Sequence, residues 1–207
     1  GAPALRWSRE GNAAGPLDAE AHRLLGRAYL QTGRLFQAAQ SFRAYLSAHP
    51  GDAEAHYYLG IALGQNGDLE PAFAEFRLAT VLKPDFGPAH QSLGAALRRK
   101  GDEPGALAQF RIAARLMPRN PLALCDLGQA LKNSGDLAGA VQSLRLALDI
   151  DPELERAKYT LGIALREQGQ AAEAGAAMRD VALRHQSRLE NSQSNKLILE
   201  GMEFLKR

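Results

Sequence analysis

The chain has 207 residues, and its 25 basic and 23 acidic side chains give a formal net charge of +2 at pH 7. No basic block is present that could neutralise a run of phosphates, so nucleic acid is not the expected partner. Hydrophobic residues make up 45% of the chain but aromatic residues only 6%, a composition that favours closely packed, alanine-rich helices. No apolar run approaches the roughly 18 residues of a membrane span, so membrane insertion is not expected.

The same residue types recur every 34 residues along the chain. The recurring positions form two glycine series, an alanine series and a proline series: Gly26, Gly60, Gly94, Gly128 and Gly162; Gly33, Gly67, Gly101, Gly135 and Gly169; Ala38, Ala72, Ala106, Ala140 and Ala174; Pro50, Pro84, Pro118 and Pro152. A fixed period of this length indicates tandem repeats of one supersecondary unit.

In chain order, residues 1–17 are a linker or the remnant of a preceding repeat. The period then predicts five tandem repeats, at 18–51, 52–85, 86–119, 120–153 and 154–186. Residues 187–207 are expected to extend the last helix and to form either the first helix of a sixth repeat or a C-terminal cap. Because the chain starts at Gly1 and stops where a sixth repeat would turn, we expect a fragment of a longer array.

Each repeat predicts two helices, and residues 52–85 illustrate the pattern. Apolar residues at helical spacing begin the repeat, and Gly67 ends the first helix. Asp68 is the predicted N-cap of the second helix, and Asp102 repeats it one module later. The second helix is expected to run to about Leu82, where the proline at position 84 stops it.

A glycine stands in the middle of every predicted first helix, as Gly60 does in the second repeat. A glycine at such a position costs roughly 1 kcal/mol in helix propensity relative to alanine. Its recurrence in all five repeats therefore predicts that a neighbouring helix passes too close to leave room for a Cβ atom.

The second repeat carries the signature most clearly, in Leu59, Gly60, Leu63, Gly67, Ala72, Phe76, Ala79 and Pro84. This spacing resembles the tetratricopeptide repeat, and the resemblance covers about residues 18–186. It implies an all-α fold, an α-solenoid in which antiparallel helix pairs stack into a right-handed superhelix. The sequence departs from the family pattern where His22, His56 and His90 replace a frequent tryptophan, and at Gln186 in place of proline.

The resemblance also implies that the first helices line a concave groove. The expected groove residues share inward-pointing positions on those helices and are Tyr57, Tyr58, Ile61, Arg98, Arg99, Asp126, Gln129, Lys132, Arg156, Tyr159 and Arg166. The aromatic and aliphatic members suit apolar anchors of a peptide, and the basic members suit carboxylates. We therefore predict a protein or peptide partner with apolar anchors and some acidic character. The alternative is that the tyrosines pack against adjacent repeats and the arginines are solvated.

Three other sets of residues have a simpler interpretation than a binding or catalytic site. The histidines His22, His56 and His90 are expected to pack between helices, because residues in adjacent repeats lie too far apart to share one metal ion. The single cysteine, Cys125, cannot form an internal disulfide and is expected to be a small packing residue. An arginine follows the large apolar residue of every second helix and is expected to be solvated and paired with nearby acids such as Glu75. This series is Arg43, Arg77, Arg111, Arg145 and Arg179.

The sequence contains no phosphate-binding loop, nucleophile elbow, zinc-protease helix or paired-cysteine knuckle, so we expect no catalytic residue, cofactor or metal. The leading hypothesis is a non-catalytic scaffold for protein–protein interaction. One alternative is a substrate-recruiting or regulatory arm of a larger enzyme, and another is a structural spacer that self-associates through its terminal helix. The compartment stays open between cytoplasm and periplasm, since one cysteine does not separate reducing from oxidising surroundings.

Overall fold

The computed structural model describes residues 18–179, and this range is helical without any strand. The helices are α1 (Ala19–Gln31), α2 (Leu35–Ala48), α3 (Ala53–Asn66), α4 (Leu69–Leu82), α5 (Gly87–Arg99), α6 (Glu103–Leu116), α7 (Pro121–Asn133), α8 (Leu137–Ile150) and α9 (Glu155–Glu167). A further helix, α10, covers residues 171–179. The predicted all-α class is confirmed. The expectations for residues 1–17 and 187–207 lie outside the described residues.

The chain divides into two compact units, Gly1–Pro84 and Asp85–Arg207. Unit 1 contains α1 to α4, and unit 2 contains α5 to α10. Within each unit a helix packs against the next one along the chain, α1 on α2 and α3 on α4 in unit 1, and α5 on α6 and α7 on α8 in unit 2. Short turns join these partners, so each unit is a stack of antiparallel helix pairs, the arrangement of an α-solenoid.

The first-helix glycines lie against a large side chain of the paired second helix, as the sequence predicts. A Cβ atom built on Gly60 would lie 2.7 Å from Cε1 of Phe76, and one on Gly94 would lie 2.8 Å from Cε1 of Phe110. Real Cβ contacts do not come this close, and Phe110 is fully buried and has no room to retreat. The glycine therefore sets how closely the two helices of a repeat approach.

The turn between the two helices of each repeat ends in a glycine with positive φ. Gly67, for example, has a φ of 98° and ends α3 in the left-handed conformation that glycine adopts at no steric cost.

The two predicted N-cap aspartates occupy the N-cap position, but only one of them makes the capping hydrogen bond. Asp68 and Asp102 both precede second helices, and the Asp102 carboxylate accepts the Gly105 amide N–H at 2.9 Å. Asp68 makes no such bond and instead accepts from the Asn66 side-chain amide at 2.9 Å. The physical reason is the residue three positions on, because Pro71 has no amide hydrogen to donate.

Candidate partner-binding surfaces

In unit 1 the predicted aromatic residues form one cluster on α3. The rings of Tyr57 and Tyr58 lie 5.3 Å apart, measured between centroids. Tyr58 stacks on Phe42 at 5.8 Å and 14°, and Tyr57 meets Phe76 at 6.2 Å and 52°. Both tyrosines are half-buried, as is Ile61 one turn further on. Each ring is thus held by core contacts while part of it stays open to solvent.

A cation completes this cluster. The guanidinium carbon of Arg27, on α1, lies 5.7 Å from the centroid of the Tyr58 ring, within the range of a cation–π contact. We call Arg27, Tyr57, Tyr58 and Ile61 the unit 1 surface.

Unit 1 also contains a hydrogen bond between α2 and the N-terminus of α3. The Tyr45 hydroxyl donates to Asp52 Oδ2 at 2.7 Å, while Asp52 Oδ1 accepts the amides of Glu54 and Ala55. The bond to Asp52, together with burial, raises the pKa of Tyr45 to about 12. Burial alone would raise the pKa of Asp52, but its hydrogen bonds outweigh burial and lower that pKa. The ionised Asp52 and the neutral Tyr45 are therefore both favoured.

In unit 2 a buried carboxylate joins three first helices. Asp126, on α7, is only 7% exposed. Its Oδ2 accepts from Gln91 Nε2 of α5 at 2.6 Å, and its Oδ1 lies 2.9 Å from Arg156 Nη2 of α9. Burial alone would lower the pKa of Arg156, but Asp126 raises it above the ordinary value. Asp126 thus lies beneath the surface and orients Arg156, whose side chain is 49% exposed.

A second polar contact follows one turn along the same helices. The Thr160 hydroxyl lies 2.8 Å from the Arg156 carbonyl oxygen of its own helix and 3.2 Å from Gln129 Oε1, and its one hydrogen is shared between these acceptors. Gln129 Nε2 donates to Asn133 Oδ1 at 2.9 Å. Thr160 is buried and Gln129 half-buried. This contact, like that of Asp126 with Arg156, joins α7 to α9.

The remaining predicted residues of unit 2 each keep solvent-exposed area. Tyr159 is 56% exposed, Arg99 and Arg166 are exposed, and Lys132 and Arg98 are half-buried. The guanidinium carbon of Arg98 lies 5.5 Å from the centroid of the Phe110 ring. We call the unit 2 surface the set Gln91, Arg98, Arg99, Asp126, Gln129, Lys132, Arg156, Tyr159 and Arg166.

The prediction omits two residues that complete these clusters, Arg27 in unit 1 and Gln91 in unit 2. Both occupy first-helix positions equivalent to predicted groove residues, so position could have identified them. Tyr58 and Asp126 are in the predicted set, but their contacts with Arg27 and Gln91 could not be inferred from the period, because neither Tyr58 nor Asp126 recurs at the equivalent position of other repeats.

Three of the residues that the sequence assigns to packing, Cys125, His56 and His90, are buried. Cys125 is fully buried, and burial raises the pKa of its thiol, so it is a packing residue as predicted. His56 and His90 are 8% and 7% exposed and pack between helices. Among residues 18–179, no three His, Cys, Asp or Glu side chains are grouped to hold a metal ion.

The suggested partner for the arginine series is wrong. Glu75 Oε2 lies 2.6 Å from Nδ1 of His56 and so belongs to a buried contact inside unit 1. Arg145 instead pairs with Glu173 at 2.7 Å, and both side chains are more than half exposed. An exposed pair of this kind contributes little to stability.

The sequence profile of the tetratricopeptide repeat family matches residues 1–53, 36–85 and 92–155. No helix in the described range 18–179 is long and apolar enough to cross a bilayer. A comparison with curated protein sequences finds no match.

Solved structures share the fold. The MamA 41-end structure from Desulfovibrio magneticus RS-1 has a TM-score of 0.72 and 24% identity, covering 82% of this chain and 96% of that one. Another MamA crystal structure has a TM-score of 0.70 and 20% identity, covering 83% and 94%. YrrB, described as a TPR protein with an unusual peptide-binding site, has a TM-score of 0.71 and 21% identity, covering 85% and 92%. With the profile matching well over half of its length, the chain belongs to the tetratricopeptide repeat family, whose folds are suited to protein–protein interaction.

Proposed function

We propose that this protein is a non-catalytic scaffold whose first-helix surfaces bind a segment of a partner protein. The unit 1 surface takes apolar side chains, and the unit 2 surface takes carboxylates together with an apolar side chain beside Tyr159.

The orientation of Arg156 by buried Asp126 is the observation that carries the proposal. One nitrogen of the guanidinium is held at 2.9 Å by Asp126 while the side chain stays 49% exposed. An arginine fixed in this way loses less side-chain entropy when it binds a carboxylate. Lys132 and Arg166 add positive charge to the same surface, and their long stems need no deep pocket.

Support for the unit 1 surface comes from its rings. Tyr57 and Tyr58 are held in place by Phe76 and Phe42, and rigid aromatic groups make good anchors because little conformational entropy is lost on binding. Arg27 over Tyr58 allows the same surface to tolerate an acidic neighbour in the bound segment.

The test is a selection from a random peptide library displayed on phage against the full chain, followed by affinity measurement on the purified peptides. We expect selected peptides to combine aromatic or aliphatic residues with Asp or Glu. We expect Arg166→Ala and Tyr159→Ala each to raise Kd about tenfold, the effect of losing one interface anchor.

Matched controls are Arg111→Ala on α6 and Val81→Ala on α4, both exposed residues of second helices. Neither control is expected to change Kd. Equal losses with Arg166→Ala and Arg111→Ala, or no loss with Tyr159→Ala, would place binding elsewhere on the chain. Selected peptides without acidic residues would remove the carboxylate part of the proposal.

A further inference from the structure

His56 is buried between two hydrogen-bond acceptors from different parts of unit 1. The ring is 8% exposed. Nδ1 lies 2.6 Å from Oε2 of Glu75 on α4, and Nε2 lies 3.0 Å from the carbonyl oxygen of Pro50 in the turn between α2 and α3. The ring therefore ties α3 both to its paired helix and to the turn that precedes it.

These two contacts fix the number of protons in the site. A backbone carbonyl only accepts, so Nε2 must carry a hydrogen. In a neutral ring Nδ1 would then present a lone pair to the carboxylate, which also only accepts when ionised. A contact of 2.6 Å requires one more proton, either on Nδ1 as an imidazolium or on the Glu75 carboxyl group.

The next repeat provides an internal comparison. His90 is equivalent to His56, and its Nδ1 lies 2.7 Å from Oε1 of Gln109, which is equivalent to Glu75. An amide can turn to offer either its oxygen or its NH2 group, so it accommodates a neutral ring in either tautomer. The need for an extra proton at His56 comes from the Glu75 carboxylate at Nδ1 together with the Pro50 carbonyl at Nε2.

Helices α1, α2 and α4 pack against α3. The other ionisable groups on these elements and the turns that follow them include Glu20, His22, Arg23, Arg27, Arg43, Tyr45, His49, Glu70, Arg77 and Lys83. Several contact a different partner: Arg23 binds Glu20, Tyr45 binds Asp52, and Lys83 lies 3.6 Å from Glu54. Glu75 supplies the charge that lies within hydrogen-bond distance of the His56 ring.

We infer that His56, Glu75 and the Pro50 carbonyl form a proton-dependent clasp that fixes α3 in unit 1. While the extra proton is bound, both contacts are made. Once this proton leaves, one ring nitrogen carries a lone pair and faces an acceptor, either Nδ1 towards Glu75 or Nε2 towards Pro50. Two lone pairs repel, so that contact opens.

The test is NMR of the full chain with 15N-labelled histidine rings and 13C-labelled glutamate carboxyl groups, at about pH 7.5, above the ordinary histidine pKa of about 6.5. We expect His56 to show two protonated ring nitrogens, or else Glu75 to show the carbon shift of a carboxylic acid. Either result supports the clasp. A neutral His56 ring beside an ionised Glu75 overturns it.

One substitution gives His56 the partner that His90 has. We expect Glu75→Gln to leave the His56 ring neutral under the same conditions, because an amide accommodates a neutral ring. If Glu75→Gln leaves His56 cationic, the carboxylate is not the cause and the inference fails. Phage-selected peptides play no part in this experiment, so its outcome is independent of the proposed partner binding.

Discussion

Gly94 and Gly175 both lie in helices of unit 2, yet their surroundings are opposite. A Cβ atom on Gly94 would lie 2.8 Å from Phe110, whereas one on Gly175 would have no atom of residues 18–179 within 4 Å. The Phe110 ring fills the space that a side chain at Gly94 would need, whereas Gly175 lies on an exposed stretch of α10. The same substitution should therefore change stability in opposite directions.

We expect Gly94→Ala to lower the free energy of unfolding by about 1–2 kcal/mol, because overpacking against a buried ring outweighs the gain in helix propensity. Gly175→Ala should raise it by up to about 1 kcal/mol, since only backbone entropy and helix propensity change. Urea denaturation followed by circular dichroism measures both. A stabilising Gly94→Ala would mean that the ring moves aside and the helices are less tightly paired than described.

At the level of the helix, the N-cap hydrogen bond of a second helix depends on which residue follows the N-cap aspartate by three positions. Gly105 and Gly139 each donate an amide N–H to the N-cap, Asp102 and Asp136 respectively, at 2.9 Å. Pro71 removes the equivalent bond in unit 1.

Asp102→Ala should therefore cost about 1 kcal/mol, the usual effect of losing a side-chain cap. Asp136→Ala should behave alike, whereas Asp68→Ala should cost clearly less because only an exposed contact with Asn66 is lost. Chemical denaturation of the three variants in parallel is the measurement. Equal losses at Asp68 and Asp102 would show that helix-dipole charge, and not the hydrogen bond, supplies the stabilisation.

Tyr45 and Asp52 link two helices, and their bond predicts a pH dependence. Tyr45→Phe should cost about 1 kcal/mol near neutral pH. Because the folded pKa of Asp52 is lowered, this difference should be complete above the ordinary Asp value of about 3.9 and shrink as the pH falls through the lower folded value. The raised pKa of Tyr45 keeps the hydroxyl as a donor until the pH rises through about 12.

The measurement is urea denaturation of both proteins at about pH 7 and about pH 2.5, on either side of the ordinary Asp value. Tyr159→Phe serves as the control, since its ring is 56% exposed. A difference between Tyr45→Phe and the parent protein that does not change with pH would mean that the carboxylate is not the acceptor that matters.

Across the whole molecule, the parts predictable from sequence are those that every repeat shares. Gly60 and Phe76 recur with their equivalents, so the helix pairs, their turns and their close approach could all be inferred from the period. The pairing of Asp126 with Gln91 and Arg156 could not, because each of these residues occurs once and the contact joins different repeats. The contact between His56 and Glu75 was not predicted either, although both residues lie in one repeat and Gln109 shows that a polar partner recurs 19 residues after the histidine.

The glycine–phenylalanine contact has a consequence for how such a chain can be lengthened. Gly94 and Phe110 lie in the same repeat, so a duplicated copy of residues 86–119 would carry both halves of the contact with it. A recombination that joined the first helix containing Gly94 to the second helix containing Leu144 would also keep a large side chain against the glycine. Gly128 already lies against Leu144 in this way. Tyr45 and Asp52 lie on opposite sides of a repeat boundary, and a module inserted between them would separate donor from acceptor. Duplication of a whole repeat therefore preserves the glycine contact, whereas an insertion between Tyr45 and Asp52 breaks a hydrogen bond.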